Sequence, residues 1–302
     1  MHGRLKVRTT EEQKLIKEKK QQEKLKAYRQ GFQQILSTRH EVPYNQTSFA
    51  ICSQLLIANP DISTLWNYRK EVILQEIETS DKSNEEELGK FMTSEIKLTE
   101  QCLLANPKSY GSWYHRFWVL DRHPKPDWNG EFALCSLYLM KDDRNFHCWD
   151  YRRLILEKIG IDLDAERKFS TERININFSN YSSWHYRSTL KQLNQESLDE
   201  EINLVQNAVF TDPADSSAWF YLRWILSSQD VTKKHKEDML CKLESLQELD
   251  PDCKWIYIAK SWLTKGVRDG NSVAADGDCF RTLIQIDPLR KGHYNDCLNN
   301  ID

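Results

Sequence analysis

An aromatic residue recurs at a fixed distance from a short polar turn signal, and this spacing constrains the fold more than any other feature. The turn signals are pairs such as Asn59-Pro60, Asn106-Pro107 and Asp212-Pro213. Six residues after the second member of each pair stands an aromatic residue; the seven are Trp66, Trp113, Trp149, Trp184, Trp219, Tyr257 and Tyr294. The intervals between them are 47, 36, 35, 35, 38 and 37 residues. Repetition at this period indicates stacked copies of one small unit.

Each unit is predicted to be a pair of α-helices joined by the turn. In the five strong copies, an aromatic residue or a histidine stands two positions after the tryptophan and an aliphatic residue stands six after it; four of these copies have an arginine three after it. On an α-helix these positions share one broad side. The turn pair ends the first helix and redirects the chain into the second. Because one hairpin cannot bury its own apolar face, the sequence predicts an all-α solenoid of stacked helical hairpins.

The repeats divide the 302 residues into three regions. Residues 1–40 form an N-terminal segment with a charged helix, interpreted as a solvated surface, with a partner-contacting arm as the alternative. Residues 41–231 hold five strong repeats, at about 44–78, 91–125, 127–161, 162–196 and 197–231. Residues 232–302 hold two degenerate hairpins, separated by a Gly- and Asp-containing segment at 265–278 that is predicted to be a loop.

The composition excludes several classes of function. Lys and Arg total 42 against 45 Asp and Glu, so a net charge of −3 gives no general attraction to nucleic acid or membranes. No apolar run reaches the length of about 18 residues that a membrane span needs. The eight cysteines contain no C-x-x-C pair, which favours a reduced, cytoplasmic protein. A Gly-rich phosphate loop, H-E-x-x-H and G-x-S-x-G are absent from the sequence, which argues against a stand-alone catalyst.

The tryptophan and arginine that follow each turn have two interpretations. Five tryptophans are predicted to fill the core between hairpins: Trp66, Trp113, Trp149, Trp184 and Trp219. In the structural interpretation the arginine lays its stem beside the tryptophan and pairs with a neighbouring carboxylate or carbonyl. In the functional interpretation the polar ends of the second helices line an inner face and hold a partner. The residues alone leave both interpretations open.

Histidines and basic residues near the turns are the remaining candidates for ligand binding. His115, His147 and His185 stand at different offsets from their tryptophans, +2, −2 and +1, so we do not expect them to share a metal ion. Lys108 and Arg144 each directly follow a turn pair and stand at the mouths of hairpins. Two such cations suit a polyanion such as diphosphate, and plain surface charge is the alternative.

The repeat resembles a known family. Its Asn-Pro turn, the following tryptophan and the arginine three residues later are similar to the protein prenyltransferase α-subunit repeat. Within that family the chain resembles the Rab geranylgeranyltransferase α subunits. The matching strings are residues 1–7, 106–116, 143–153, 177–187 and 210–221, and the resemblance weakens after about residue 226.

The resemblance implies a fold, a partner and a reaction. The fold would be a right-handed superhelix, a crescent of hairpins wrapped around a β subunit that carries a catalytic zinc and most of the lipid pocket. The heterodimer would transfer geranylgeranyl from geranylgeranyl diphosphate to C-terminal cysteines of Rab GTPases, which a Rab escort protein presents. The immunoglobulin-like insert and leucine-rich domain of many metazoan members are not expected in these 302 residues.

The resemblance also suggests roles for particular residues, although none is assigned as catalytic. In the farnesyl and type I relatives, a Lys-Asn-Tyr-His string brings a lysine near the diphosphate. The matching string here is Arg144-Asn145-Phe146-His147, which keeps the charge and lacks the tyrosine hydroxyl; Lys108 is the second candidate. Predicted β-subunit contacts are Tyr110, His115, Arg116, Phe146, His147, Tyr151, Tyr181, His185 and Tyr186. His2 is a speculative ligand for the partner's zinc.

Two other functions stay open. The first is the α subunit shared by protein farnesyltransferase and geranylgeranyltransferase type I, against which Arg144 and Phe146 argue. The second is a non-enzymatic scaffold of the tetratricopeptide (TPR) type, whose repeat is about 34 residues long. The tetratricopeptide signature places tryptophan in the first helix, whereas here tryptophan follows the turn and arginine follows tryptophan.

Overall fold

A computed structural model describes residues 10–39, 45–80, 84–160, 162–190, 195–264 and 270–300. Across these ranges the chain forms fifteen α-helices and no β-strand, and a short 3-10 helix spans Pro288–Arg290. The α-helices are α1 (Glu11–Thr38), α2 (Gln46–Ala58), α3 (Ser63–Thr79), α4 (Glu85–Ala105), α5 (Tyr110–Leu120), α6 (Trp128–Lys141), α7 (Phe146–Ile159), α8 (Leu163–Ile176), α9 (Tyr181–Thr189), α10 (Gln195–Thr211), α11 (Ser216–Ile225), α12 (Lys233–Leu249), α13 (Lys254–Thr264), α14 (Gly270–Ile286) and α15 (Lys291–Asn299).

The helices after α1 alternate as the first and second arms of hairpins, from α2–α3 to α14–α15. Each second arm carries the aromatic residue that marks its repeat, from Trp66 in α3 to Tyr294 in α15. The prediction of an all-α chain of tandem helical hairpins is therefore confirmed.

Polar residues of the turns set the helix ends. The first member of the turn pair caps the end of the first helix, as Asn59 does after α2 and Asn177 after α8. Three residues later a polar side chain caps the second helix: Ser109 precedes α5 and Asn180 precedes α9, and each accepts a backbone N–H of the first turn. These bonds satisfy amides that a helix start leaves unpaired.

The first of two compact units comprises Met1–Leu137 together with His147–Ile159. In its described part, α1 packs on α2, and the hairpins α2–α3 and α4–α5 pack on each other. Their shared core consists of Ile35, Cys52, Leu55, Leu56, Leu65, Trp66, Tyr68, Val72, Leu98 and Cys102. Helix α1 contributes one fully buried side chain, Ile35, and its residues 11–27 are exposed. The core therefore forms between hairpins rather than within one.

The second unit comprises Tyr138–Phe146 together with Gly160–Asp302. One apolar cluster draws on α8 to α13 and includes Ile174, Trp184, Val209, Trp219, Leu222, Met239, Leu246 and Leu263. A smaller cluster joins α13 to the C-terminal hairpin through Tyr257, Leu283 and Tyr294. The degenerate C-terminal copies thus pack by the same aromatic position as the strong ones.

The loop predicted at residues 265–278 is wrong in its later part, because α14 begins at Gly270. The Gly, Asn, Ser and Asp residues there have turn-forming chemistry, but tertiary packing overrides local preference. Further along α14, Leu283 is fully buried in the cluster with Tyr257 and Tyr294. Residues 265–269 lie outside the described ranges.

Candidate functional site

The tryptophan of a hairpin is tied to the turn that precedes it. The indole N–H of Trp66 donates to the backbone carbonyl of Pro60 at 2.7 Å. Trp113, Trp184 and Trp219 make the equivalent bond at 2.8, 2.7 and 3.0 Å. All five predicted core tryptophans are at most 4% exposed. The tryptophan stands six residues after the turn because its buried indole N–H can then donate to the turn carbonyl.

The two degenerate copies keep the bond in altered form. The hydroxyl of Tyr257 donates to the Pro251 carbonyl at 2.8 Å, so a phenol replaces the indole at the same position. The hydroxyl of Tyr294 donates instead to the carboxylate of Asp287 at 2.8 Å. A tyrosine at this position thus preserves the turn contact with different donor chemistry.

Buried ion pairs join neighbouring hairpins within each unit. The pairs are Arg69–Glu95, Arg116–Glu131 and Arg187–Glu201. Arg116 reaches the two oxygens of Glu131 at 2.7 and 2.6 Å, and both bonds from Arg187 to Glu201 measure 2.7 Å. Each arginine also donates to a hydroxyl or carbonyl of its own hairpin. This two-point geometry favours the structural interpretation of the arginines, since a buried charge requires such partners.

The residue two positions after the tryptophan binds a buried glutamate of its own hairpin, and three of these four glutamates are those of the ion pairs. The pairs are His115–Glu95, Tyr151–Glu131, Tyr186–Glu166 and Tyr221–Glu201. The hydroxyls of Tyr151 and Tyr221 lie 2.7 Å from their carboxylates, and His115 Nε2 lies 3.4 Å from Glu95. Each glutamate stands eighteen residues before the tryptophan of its own hairpin. We call these four glutamates, with their arginine and tyrosine or histidine partners, the carboxylate ladder.

Burial and pairing shift the pKa values of Glu95, Glu201 and His115 in the ladder. Burial by itself raises the pKa of Glu201, but the hydrogen bonds and charge of Arg187 outweigh it and hold that pKa below its ordinary value. Burial likewise raises the pKa of Glu95, but the hydrogen bond from His115 and the charge of Arg69 outweigh it, so the pKa of Glu95 lies below its ordinary value. Burial lowers the pKa of His115, whose Nδ1 has no hydrogen-bond partner among the described residues. These pKa shifts favour the ionised carboxylates of Glu95 and Glu201 and the neutral imidazole of His115.

The predicted interface residues fall into two groups. Those at most 7% exposed are His115, Arg116, His147, Tyr151 and Tyr186. All but His147 belong to the ladder, and the His147 ring packs edge-on against Tyr110 at 4.1 Å between centroids. These five side chains are buried within the chain, and their contact with a β subunit stays a prediction. The other four, Tyr110, Phe146, Tyr181 and His185, are exposed.

Two further aromatic residues, the exposed Phe220 and the half-buried Trp255, lie beside Tyr181 and were missed from the sequence. Its ring centroid is 6.4 Å from that of Phe220, and Phe220 is 5.3 Å from Trp255. Phe220 directly follows the core tryptophan, whereas Tyr181 stands three residues before its own. These two positions share the helix side away from the core, so helical periodicity was the available signal. We call Tyr181, Phe220 and Trp255 the aromatic row.

The two predicted cations lie at exposed positions of their turns. The backbone N–H of Lys108 donates to Asn106 at 3.1 Å, and that of Arg144 donates to Asp142 at 3.1 Å. The guanidinium of Arg144 lies 3.4 Å from the carbonyl of Ser179 and 3.5 Å from its hydroxyl. Contacts this long hold the guanidinium weakly, so it can turn toward an anion.

The described ranges contain no group of three or more His, Cys, Asp or Glu side chains that could hold a metal ion. No helix there combines the length and apolar character of a membrane span. His2, the speculative zinc ligand, lies outside the described residues.

The family model described as "Protein prenyltransferase alpha subunit repeat" matches five segments, residues 46–76, 92–123, 128–159, 163–190 and 198–229. Each segment contains one core tryptophan and the turn before it. The chain belongs to the protein prenyltransferase α-subunit family. Two sets of contacts thus define the repeat in this prenyltransferase α-subunit chain. One is the hydrogen bond from the core indole to the preceding turn, and the other is the carboxylate ladder.

Curated relatives of this prenyltransferase α-subunit chain carry the name "Geranylgeranyl transferase type-2 subunit alpha". The human protein is 46% identical over 243 residues, which cover 76% of this chain and 42% of the relative. The mouse protein is 44% identical over 261 residues, covering 82% and 45%. The chain therefore spans less than half the length of these mammalian relatives. The Dictyostelium discoideum protein is 38% identical over 309 residues, covering 97% of this chain and 98% of the relative.

A solved structure, "Candida albicans protein geranylgeranyltransferase-I complexed with GGPP", matches the fold of this prenyltransferase α-subunit chain. The TM-score is 0.74 at 19% sequence identity, and the match covers 92% of this chain and 91% of the other. At this identity the likeness concerns the fold alone, and it agrees with the helical solenoid predicted from the repeats.

Proposed function

We propose that this chain is the α subunit of a heterodimeric Rab geranylgeranyltransferase. The observation that carries the proposal is the 38% identity to the Dictyostelium type-2 subunit alpha over nearly the whole of both chains. The human relative of the same name supports it with 46% identity over the aligned part. In this assignment a β subunit carries the zinc and most of the lipid pocket, and a Rab escort protein presents the Rab substrate.

The proposed reaction joins a Rab cysteine to a geranylgeranyl group. The cysteine thiolate attacks the first carbon of the prenyl chain, the carbon–sulfur bond forms, and the diphosphate leaves with the electrons of the broken carbon–oxygen bond. The chemistry expected from a zinc ion on the partner is a thiol of lowered pKa, and hence a thiolate at neutral pH. Positive side chains that face the leaving diphosphate stabilise the charge that develops on it.

In this proposal the chain supplies a cation and a docking surface. Arg144 is the first candidate for the diphosphate contact, because its exposed guanidinium carries a fork of donors that suits phosphate oxygens. Lys108 is the second candidate, as an exposed point charge. The exposed residues Tyr110, Phe146, Tyr181 and His185, with Phe220 and Trp255, are the proposed β-subunit contacts. Aromatic side chains are enriched at such interfaces.

The organisation and location of the chain belong to the same proposal. Five repeats within residues 41–231 would form the docking surface, flanked by an N-terminal segment at 1–40 and two weaker hairpins at 232–302. The protein would act in the cytoplasm, where the proposed partners and lipid donor meet.

The test is to express the chain with and without a matching β subunit. Incorporation of labelled geranylgeranyl into a Rab protein in the presence of escort protein is then measured. We expect transfer only when both subunits and the escort protein are present. Transfer by the chain alone, or none by the heterodimer, overturns the proposal.

The same preparations separate the two alternatives. Prenylation of a peptide ending in a single cysteine motif, without escort protein, indicates the farnesyl and type I class instead. A chain that forms no complex with any prenyltransferase β subunit, and retains chaperones or peptide tails from cytosol, indicates a tetratricopeptide-like scaffold.

A further inference from the structure

The turn that carries Arg144 is fastened to the turn of the next hairpin. The side-chain amide of Asn180 donates to the backbone carbonyl of Asp143 at 2.7 Å. The amide of Asn177 donates to the carboxylate of Asp143 at 2.9 Å. Both asparagines therefore act on the residue directly before Arg144 and fix the peptide that leads into it.

Burial and hydrogen bonds hold the side chain of Asn180 in one position. Its side chain is fully buried. Besides donating to Asp143, its amide oxygen accepts the backbone N–H of Ser182 at 3.1 Å, which caps the start of α9. A buried amide with both ends used has one orientation, so its N–H group points steadily at the preceding turn.

Asn180 caps α9 and also donates to the preceding turn, and other hairpins show that the residue at this position need not do both. In α11 the cap is Asp215, a residue that has no side-chain donor when ionised. In α5 the cap is Ser109, whose hydroxyl donates to the Pro60 carbonyl of the preceding turn at 3.2 Å. Capping alone therefore does not require asparagine, and a serine at this position performs both tasks.

We propose that Asn180 is a positioning residue for the diphosphate of the prenyl donor, acting through the backbone of Asp143 and the guanidinium of Arg144. The inference rests on the proposed function and deepens it. The guanidinium itself contacts Ser179 only at 3.4 and 3.5 Å, so its direction depends on how firmly the turn beneath it is held. Loss of the Asn180 donor would widen the range of directions from which Arg144 approaches the anion.

The experiment uses the assembled heterodimer and the substitution Asn180→Gly. Glycine is itself a favoured cap residue, adds no charge and removes the donor to Asp143. We expect the KM for geranylgeranyl diphosphate to rise about three- to tenfold, the scale of one lost hydrogen bond. Inhibition by inorganic pyrophosphate should weaken by the same factor, and the KM for the Rab–escort complex should stay constant.

Three comparisons separate positioning from a structural effect. Asn180→Ser should restore the KM, because serine caps the helix and donates as Ser109 does. Asp215→Gly removes a cap of the same type from α11 and should leave the KM for the diphosphate unchanged. In an Arg144→Ala background, Asn180→Gly should have no further effect on that KM, as expected for two residues acting in series.

The outcomes distinguish this inference from the proposed function. An active heterodimer in which Asn180→Gly leaves the diphosphate KM and pyrophosphate inhibition unchanged overturns the positioning role only. Equal losses from Asn180→Gly in the presence and absence of Arg144 also overturn it. A heterodimer of unaltered sequence without transferase activity overturns the proposed function itself.

Discussion

Gly111 in α5 lies so close to the indole of Trp66 in α3 that a Cβ atom does not fit between them. A Cβ at Gly111 would stand 2.6 Å from Trp66 Nε1 and 2.8 Å from the Pro60 carbonyl oxygen. Those two atoms form the hydrogen bond that holds the turn of the first hairpin. The same carbonyl also accepts the hydroxyl of Ser109 at 3.2 Å. Glycine in this helix therefore serves the close approach of two hairpins, despite its low helix propensity.

Gly111→Ala should consequently destabilise the chain. Relief of the clash requires moving the indole or the turn, which we expect to cost about 1–3 kcal/mol. The helix-propensity gain of about 1 kcal/mol reduces this cost, so we expect a net loss of up to about 2 kcal/mol. Urea unfolding followed by tryptophan fluorescence measures the difference. Gly292→Ala in α15 is the matched control, because a Cβ there meets nothing within 4 Å, and it should be neutral or stabilising.

We expect that removing one member of a ladder group lowers the free energy of unfolding more than replacing the glutamate, arginine and tyrosine together. Glu131→Met leaves the guanidinium of Arg116 buried without its carboxylate, and we expect a loss of about 3–5 kcal/mol. A triple variant that adds Arg116→Leu and Tyr151→Phe should recover most of that loss, because no buried polar group is then left unpaired. Thermal unfolding of the single and triple variants measures the difference. Equal destabilisation of the two variants would contradict the prediction that the triple variant recovers stability.

The chain itself contains a natural version of that triple variant. At the junction of α11 and α12, Leu222 occupies the arginine position and Met239 the glutamate position, and both are buried in one apolar cluster. The missing arginine in the fifth repeat, visible in the sequence as a departure, is thus explained by the loss of its glutamate partner. Replacement of both partners by apolar residues is a known route to equal or greater stability.

These examples show what the sequence predicts and where it fails. The position of Trp66 six residues after Pro60 was enough to predict the hairpins, because a local hydrogen bond imposes the spacing. Glu131 was overlooked, because its partner Arg116 belongs to another hairpin and a lone glutamate in a charged chain resembles surface charge. Its constant offset from the tryptophan was the unused signal. Burial of Arg116 could not be read from the sequence, since it depends on the tertiary packing of that glutamate.

Stability should fall at acidic pH through the ladder carboxyls. The folded-state pKa values of Glu95 and Glu201 lie below the ordinary value of about 4.3, so the unfolded chain binds more protons. Their contribution is fully present above about pH 5 and is lost as pH falls below about 4. Glu201→Gln should therefore lower the free energy of unfolding at pH 7, and the gap to the unaltered chain should narrow toward pH 3. Glu86→Gln, at a side chain 84% exposed, should leave the profile unchanged.

Thiol reactivity should separate the cysteines by burial. Burial raises the pKa of Cys52 to about 11 and that of Cys102 to about 12, and both thiols are fully buried. Since the thiolate is the reactive form, neither should react with a maleimide in the folded protein, whereas the exposed Cys241 should react readily. Mass spectrometry of labelled peptides gives the order. Labelling of Cys52 as fast as Cys241 in the absence of denaturant would show that the first hairpins open.

Tyr181 and Phe220 of the aromatic row should govern the affinity of the proposed subunit contact without governing the fold. The side chains of Tyr181 and Phe220 are 55% and 43% exposed, so their removal leaves no cavity in the core. Tyr181→Ser and Phe220→Ser should each weaken association with a β subunit by about 1–2 kcal/mol, the usual scale for a buried aromatic anchor. Titration of the purified subunits measures this, with unfolding of the free chain as the stability readout. Leu249→Ser, at an apolar residue 78% exposed and outside the row, is the control and should leave affinity unchanged. If the three substitutions weaken binding equally, the contact lies elsewhere; if Tyr181→Ser and Phe220→Ser unfold the chain, the row is part of the core.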